Sequence, residues 1–393
     1  MGAVDLPSTI VLFSARYLPS VGGVEFFTKN LAQTLAAKGF DVIVTTTEPA
    51  DDVSGDGRQD VGSGSIEVLR LDSWGPTRMP FVRWTAHTRA CLSQLRQLDD
   101  FSALVNTRFY DLSRVAARLC RKRGVRPVLI DHGTGYISFP SKALSLVAKV
   151  AEHVITANLR RYPIDFYGVS RDASQWLANF GIHSCGEIHN ALDAEGFAAA
   201  KSARDFRAEC GVGEETLCVV YAARLLADKG ADVMVDAARL LEGKVDAHLF
   251  VAGTGALEQQ VLAAAAELDN LTYVGMLSHP DLAALLSQGD VFCLPTRYAE
   301  GLPTSLLEGA ACGCALIASH AGGVDEIIPD EQHGIVLGEV SAAELAEAIS
   351  CLTDDPSRLE ALKRQAHAYV NEHFTWESTA GELLRALRRA ASC

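Results

Sequence analysis

The chain has 393 residues, too many for one ordinary core and enough for two domains. Hydrophobic residues make up 48% and charged residues 21%, a globular balance that excludes an extensively disordered protein. A formal net charge of −14 excludes wholesale binding to nucleic acid. Local basic clusters remain, Arg121-Lys122-Arg123 with Arg126 and Arg160-Arg161, and their first reading is a solvated helix end. The ten cysteines lack paired CxxC spacing and sit mostly in apolar runs, as buried thiols of a reducing cytoplasm do. No apolar run has membrane-spanning length, and residues 10–13 are too few for a signal peptide, so any membrane contact is expected from the surface.

Residues 9–14 read as a strand that enters the loop ARYLPSVGGVE and then a helix with Val24, Phe27, Leu31 and Leu35 at helical spacing. Gly22 and Gly23 therefore stand at a helix N-terminus, where bare backbone can approach a ligand; a plain tight turn is the alternative. Strand 41–47 follows, then a polar, glycine-rich excursion at 48–65, expected to be mobile, in which Asp51 and Asp52 imitate a metal pair but read as solvated loop. Strands 66–71, 103–106 and 127–130 alternate with helices 81–98 and 111–122, the pattern of a doubly wound sheet. The last of these strands delivers DHGTGY and places His132 at its C-terminal end, the end at which open α/β sheets bind ligands. Helix 142–159, rich in Ala, Leu and Val, ends in Arg160-Arg161-Tyr162; strand 166–170, helix 171–180 and an extended piece at 187–192 complete the half. Composition shifts towards charge and alanine over 193–213, which puts a domain boundary near residue 190.

The alternation then restarts. Strand 217–223 ends in Arg224, and LLADKG leads into helix 231–241, so Arg224 and Lys229 share one loop beside a helix N-terminus. Two cations and free N–H groups acting on the same oxygens make a competent diphosphate site without a metal; a solvated surface pair is the bland alternative. Gly253-Thr254-Gly255 only partly matches a dinucleotide fingerprint. Strand 271–276 and helix 281–286 precede the most informative stretch, 293–328. There strand 291–294 passes through a loop carrying Glu300 into a helix with Pro303 at its first turn and Gly313 after its last. Backbone N–H groups near Gly301, Thr304 and Ser305 can meet phosphate or sugar oxygens, and Glu300 and Glu308 can each accept paired hydroxyls, one from a hexose and one from a ribose. The strand ALIAS and the turn at Gly322-Gly323 close the unit; helices 342–352 and 356–372, FTW and a basic amphipathic helix end the chain.

In their order these motifs resemble the family-four retaining glycosyltransferases: PSVGGVE, His132-Gly133, Asn190-x-x-Asp193, Arg224-x4-Lys229-Gly230, Glu300-x7-Glu308 and Phe374-x-Trp376. The resemblance covers nearly the whole chain and implies the α/β GT-B fold, two Rossmann-like doubly wound domains facing a central cleft. It implies an N-terminal acceptor-binding domain over 1–190, a nucleotide-sugar domain over 191–375 and a helix at 376–393 crossing back to the first. By that resemblance Arg224 and Lys229 bind the donor diphosphate, Glu300 holds sugar hydroxyls, Glu308 the ribose, His132 the transferred sugar, and Gly22-Gly23 approaches the phosphates. Gly301, Leu302 and Thr304 join the donor site, and Thr254, Gly275, Met276 and Leu277 are the expected nucleobase neighbours. The implied reaction is metal-independent, with no cofactor besides a UDP- or GDP-linked hexose. The sequence departs from the family pattern at Gly309, where alanine is usual and glycine loosens a helix by about 1 kcal/mol, at Ala191 for glycine and at Asp131 before the histidine.

A nucleotide-sugar epimerase or hydrolase on the same scaffold is the rival enzyme reading; a periplasmic-type sugar-binding protein is disfavoured by Arg224 and Lys229. The acceptor stays open among a glycan, a lipid-linked sugar and a small soluble metabolite, with the NTRFY and DHGTGY segments similar to transferases that assemble cell-surface polysaccharide. Helix 142–162 reads either as an ordinary buried helix or as one lying on an anionic membrane, which would make a cytoplasmic protein peripheral to the inner membrane face.

Overall fold

The computed structural model describes residues 6–20, 22–47, 57–76, 79–137 and 141–392; Asp51 and Asp52 lie outside them. The chain divides into two compact units, Met1–Asn190 with Trp376–Cys393, and Ala191–Thr375. The first holds a seven-stranded sheet in the order Gln59–Val61, Gly64–Arg70, Asp41–Thr46, Thr9–Ser14, Ser102–Asn106, Val128–Asp131, Asp165–Gly168. All neighbours pair parallel except the first two, a hairpin at the edge. Ile10, Val11 and Leu12 are fully buried, as expected of a parallel strand covered on both faces, and this explains why such strands read as unbroken apolar runs. The helices that carry the argument are α1 (Gly23–Ala37), α2 (Ala86–Gln97), α3 (Asp111–Arg123) and α4 (Lys142–Leu159). The last helix, Trp376–Ala391, packs on α1: Trp376 meets Phe27 edge-on at 5.7 Å, Lys38 pairs with Glu377, and Glu382 accepts both the N–H and the ring nitrogen of His189.

The second unit holds a six-stranded, all-parallel sheet in the order Leu271–Gly275, Ala247–Ala252, Leu217–Ala222, Val291–Leu294, Ala315–Ser319, Ile335–Leu337. Both sheets reverse their strand order next to their first strand. In the first unit the switch lies between Thr9–Ser14 and Ser102–Asn106, and in the second between Leu217–Ala222 and Val291–Leu294. The loops leaving such neighbouring strands diverge and leave a crevice, the usual ligand position in an open α/β sheet.

Three local expectations change. The helix expected from 81 begins only at Ala86, because the Thr85 hydroxyl caps it by accepting the Thr88 N–H, and Phe81–Val82 instead pairs with Ser73–Trp74 as a small ribbon on which Phe81 stacks with Trp74 at 5.1 Å. Within the polar excursion Gln59–Val61 forms the edge hairpin, and Ile335–Leu337 forms an edge strand too short for its periodicity to register. Gly309 is not a mere loosening of its helix, Thr304–Ala311: a Cβ there would lie 2.7 Å from the Cβ of Phe292, which is fully buried on the neighbouring strand. Close helix-to-strand contact requires the glycine.

The first unit also buries an ion cluster. Arg108, 2% exposed, donates from Nε to Asp131 at 2.7 Å and from its terminal nitrogens to Glu152 at 3.2 and 3.3 Å and to Thr156 at 3.2 Å, with its guanidinium 3.7 Å above the Phe180 ring. Glu152 also accepts the Ile137 N–H at 2.7 Å. Burial raises the Asp131 carboxyl above its ordinary value, opposed by the Arg108 charge. Preceding Arg108, Thr107 has a φ of 67°, a left-handed conformation disfavoured for a β-branched residue, so this turn is held in place by its surroundings.

Two outcomes follow from this packing. Arg108→Met should cost about 3–5 kcal/mol by leaving two buried carboxylates without a counter-charge. Because a carboxyl whose pKa is raised in the folded state costs stability progressively as pH climbs from its ordinary unfolded value to the raised one, the deficit in urea melts should shrink as pH falls and Asp131 protonates. Gly309→Ala, which would gain about 1 kcal/mol in an unhindered helix, should here lower the melting temperature, and adding Phe292→Leu should not restore it, because leucine keeps the Cβ and Cγ that the new methyl meets at 2.7 and 2.8 Å.

Candidate active site

At the switch point of the second unit, Tyr221 closes the first strand within Leu217–Ala222 and its hydroxyl donates to the carbonyl of Lys229 at 3.0 Å, which fixes the loop that follows. Gly230 ends that loop at a φ of 81°, and a side chain there would overlap the Pro295 carbonyl of the neighbouring loop. The glycine thus lets two loops touch and starts the helix Ala231–Leu241. They are further joined by the Arg297 N–H donating to the Asp228 carbonyl at 2.7 Å, the Thr296 hydroxyl to the same carbonyl at 3.1 Å, and the Arg297 guanidinium to Ala227 at 3.0 Å. The two loops therefore act as one backbone scaffold.

On that scaffold Lys229 Nζ lies 2.5 Å from Glu300 Oε1 and 4.3 Å above the Tyr298 ring, with the two charged side chains only 13% and 12% exposed. The Thr296 hydroxyl is 3.3 Å from the same carboxylate oxygen. A cation and an anion so placed are worth more than a solvated surface pair because water screens them less. Arg224, by contrast, is exposed and makes no side-chain hydrogen bond or ion pair among the described residues. Gly253 (φ 125°) and Gly255 leave no room for side chains against the Ala223 and Leu225 carbonyls. Leu225 N–H donates to Thr254 at 2.9 Å and Gly253 N–H to Gly275 at 2.8 Å. Thr254, exposed, and Gly275, Met276 and Leu277, with Met276 73% exposed, are thereby brought beside the Arg224 loop.

Behind Glu300, Gly322 (φ 59°) packs so closely that a Cβ would overlap the Glu300 carbonyl, and Gly323 N–H donates to Gly301 at 2.8 Å. Leu302 is buried, and Thr304 is half-buried as the first residue of its helix after Pro303. The Glu308 side chain, one turn further on, makes no hydrogen bond or ion pair among the described residues, and burial pushes its carboxyl up to about 7.

In the first unit His132 Nε2 donates to Asn106 Oδ1 at 2.9 Å; since burial pushes its pKa down to about 3, the ring is neutral, carries its proton on Nε2 and keeps Nδ1 as an acceptor. Asn106 in turn donates to Thr28 at 3.0 Å, and Thr28 is tied to the Val24 carbonyl at 2.7 Å, so the network reaches the first turns of α1. Gly22 precedes α1 in extended conformation, its α-carbon facing the buried Glu25 carboxylate; a Cβ on Gly23 would meet nothing within 4 Å, so packing does not demand glycine there. Thr296, Tyr298 and Tyr221 were not singled out by the sequence. Tyr221, a hydroxyl at the end of the apolar run CVVYA, was the legible signal, since a buried tyrosine needs a partner. No group of three or more His, Cys, Asp or Glu side chains is placed to hold a metal ion among the described residues.

Comparison with known proteins agrees with this architecture. Residues 21–195 match the family described as Glycosyltransferase Family 4, and residues 202–369 the family described as Glycosyl transferases group 1. The chain is 25% identical over 94% of its length to a GDP-mannose-dependent monoacylated alpha-(1-6)-phosphatidylinositol monomannoside mannosyltransferase of Corynebacterium glutamicum, 95% of which is covered. It is 27% identical to a glycogen synthase of Mycobacterium tuberculosis, with 94% of this chain and 92% of the relative covered. Among solved structures, sucrose-phosphate synthase from Thermosynechococcus elongatus superposes with a TM-score of 0.74 at 20% identity, covering 98% of this chain and 99% of that one, which extends the likeness to the fold. The chain belongs to the group 1, family-four retaining glycosyltransferases of the GT-B fold, and it is a glycosyltransferase that takes a nucleotide-sugar donor.

Proposed function

We propose that this enzyme moves a hexosyl unit, without a metal, from a UDP- or GDP-linked hexose to a hydroxyl of a lipid-linked acceptor in cell-surface glycolipid or polysaccharide assembly. It would work at the inner face of the cytoplasmic membrane. The observation that carries the donor half is the Lys229–Glu300 contact at the switch point, beside Arg224, whose side chain has no partner among the described residues. In this reading the diphosphate lies against Arg224 and Lys229, drawing Lys229 away from Glu300, and the freed carboxylate takes sugar hydroxyls. Gly301, Leu302 and Thr304 supply the helix N-terminus, Glu308 the ribose contact, and Thr254 with Gly275, Met276 and Leu277 the nucleobase surface. His132 is assigned to the transferred sugar as a neutral acceptor, and Gly22 and Gly23 to the donor phosphates.

The bond from the anomeric carbon to the β-phosphate oxygen breaks with its electron pair leaving on that oxygen. The acceptor oxygen bonds to the same face of the carbon, and its proton passes to the departing phosphate, giving a glycoside and a nucleoside diphosphate with configuration retained. The protein's part is to stabilise the charge that accumulates on the leaving group, which the two cations of the Arg224–Lys229 loop can do. The lipid-linked acceptor is supported by the printed activity of the Corynebacterium relative, which acts on a phosphatidylinositol mannoside.

Lys229→Ala and Glu300→Gln should each lower kcat/KM by roughly 10²–10³-fold with far-UV circular dichroism unchanged; unchanged turnover in either would remove these residues from the site. Glu308 titrates near neutrality, and only its ionised form accepts two ribose hydroxyls. Calorimetric Kd for the donor nucleotide should therefore rise roughly tenfold between about pH 8 and about pH 6, and Glu308→Gln should bind more weakly with that slope flattened.

A further inference from the structure

Helix α4 is fastened to its unit through one side. Glu152, Thr156 and Leu159 are buried there, and the Arg108 cluster grips Glu152. The opposite side carries Leu146, Val147, Val150 and Val154, exposed by 63%, 63%, 56% and 64%, with Leu144 at 48%. Their spacing places them on one helical stripe. Five of the eleven large apolar side chains exposed among the described residues thus lie on this one helix, and a clustered stripe, unlike scattered exposure, marks a surface that meets something.

The exposed charges on α4 and at its C-terminal end have one sign. Although the chain holds 49 acidic against 35 basic residues, the only acid on α4 is the buried Glu152; Lys142, Lys149, Arg160 and Arg161 are exposed. At the C-terminal end of α4, Asn158 and Tyr162 continue into a cavity of about 350 Å³ between α2, α3 and α4. Arg96, Arg118 and Lys122 line it together with Trp84, and these three cations make no hydrogen bond or ion pair among the described residues. A second copy docking stripe to stripe would set lysine against lysine, because a two-fold interface meets itself. An anionic bilayer offers the opposite charge and an apolar interior together.

We propose that α4 and the adjoining cation-lined cavity are the surface by which this enzyme docks on an anionic lipid bilayer. The aliphatic stripe enters the boundary between headgroups and acyl chains, and the cavity takes a lipid phosphate. No helix among the described residues is long and apolar enough to cross a membrane, so this contact is peripheral. The proposal deepens the lipid-linked acceptor reading and rests on it.

The test is flotation of the full chain with vesicles of phosphatidylcholine alone or mixed with phosphatidylglycerol, alongside slow nucleotide release from a GDP- or UDP-hexose in lipid-free buffer. Wild type should float with the anionic vesicles only and dissociate as salt rises. Arg118→Glu with Lys122→Glu should weaken binding at least about fivefold per cation, and Val147→Glu with Val150→Glu more than roughly tenfold, both pairs keeping wild-type melting and nucleotide release. Absence of wild-type binding to anionic vesicles, or variants that bind like wild type, would overturn the proposal. So would a concentration-dependent dimer that Val147→Glu with Val150→Glu abolishes, which would give the stripe to a second copy. Failure of nucleotide release in the wild type would instead strike the donor reading and leave the flotation result standing.

Discussion

The contact between Lys229 and Glu300 depends on a constraint that runs through the whole second unit: two loops that leave adjacent strands in opposite directions must touch. Ordinary side chains would keep them apart. Gly230 removes the obstacle on one loop and Gly322 supports the other from behind, each at a positive φ and each against a carbonyl that leaves no room for a Cβ. Gly253 does the same for the loop that carries Thr254. The glycines are thus not freedom but proximity, and they let a lysine and a glutamate seventy-one residues apart in sequence share a largely buried contact.

In the first unit the corresponding role falls to polar side chains. His132 is oriented by Asn106, Asn106 by Thr28, and Thr28 by the first turns of α1, so the ring, kept neutral by burial, has one nitrogen spoken for. The residue before it, Asp131, belongs to the Arg108 cluster, which also grips α4 through Glu152. The strand end that carries His132 and the helix with the apolar stripe are consequently joined through one buried cluster. The departure from the family pattern at Asp131 finds its reason there, as the partner of a buried arginine.

Much of this was legible in the sequence. Buried parallel strands announce themselves as apolar runs, and helix 142–159 has the bounds that its Ala, Leu and Val content and its arginine end predict, with the Ser141 cap added by the structure. The motif residues Arg224, Lys229, Glu300 and Glu308 could be named, but which of them touch could not, since the Lys229–Glu300 pairing depends on strand order rather than on spacing. Helix 81–98 was overextended because an apolar Phe81 fits helical and strand periodicity equally, and only the Thr85 cap decides. Gly309 looked like a weakness because helix propensity is local, while its reason, Phe292, sits on another element. Arg108 gave no sign of burial, for an arginine in a loop ordinarily belongs to water.

The most direct measurement is a crystal structure of the enzyme with a non-hydrolysable nucleotide hexose. The account predicts the diphosphate within hydrogen-bond reach of both Lys229 Nζ and the Arg224 guanidinium, with Lys229 withdrawn from Glu300 and the Glu300 carboxylate on sugar hydroxyls. A donor bound away from this loop pair, with the Lys229–Glu300 contact left intact, would contradict it.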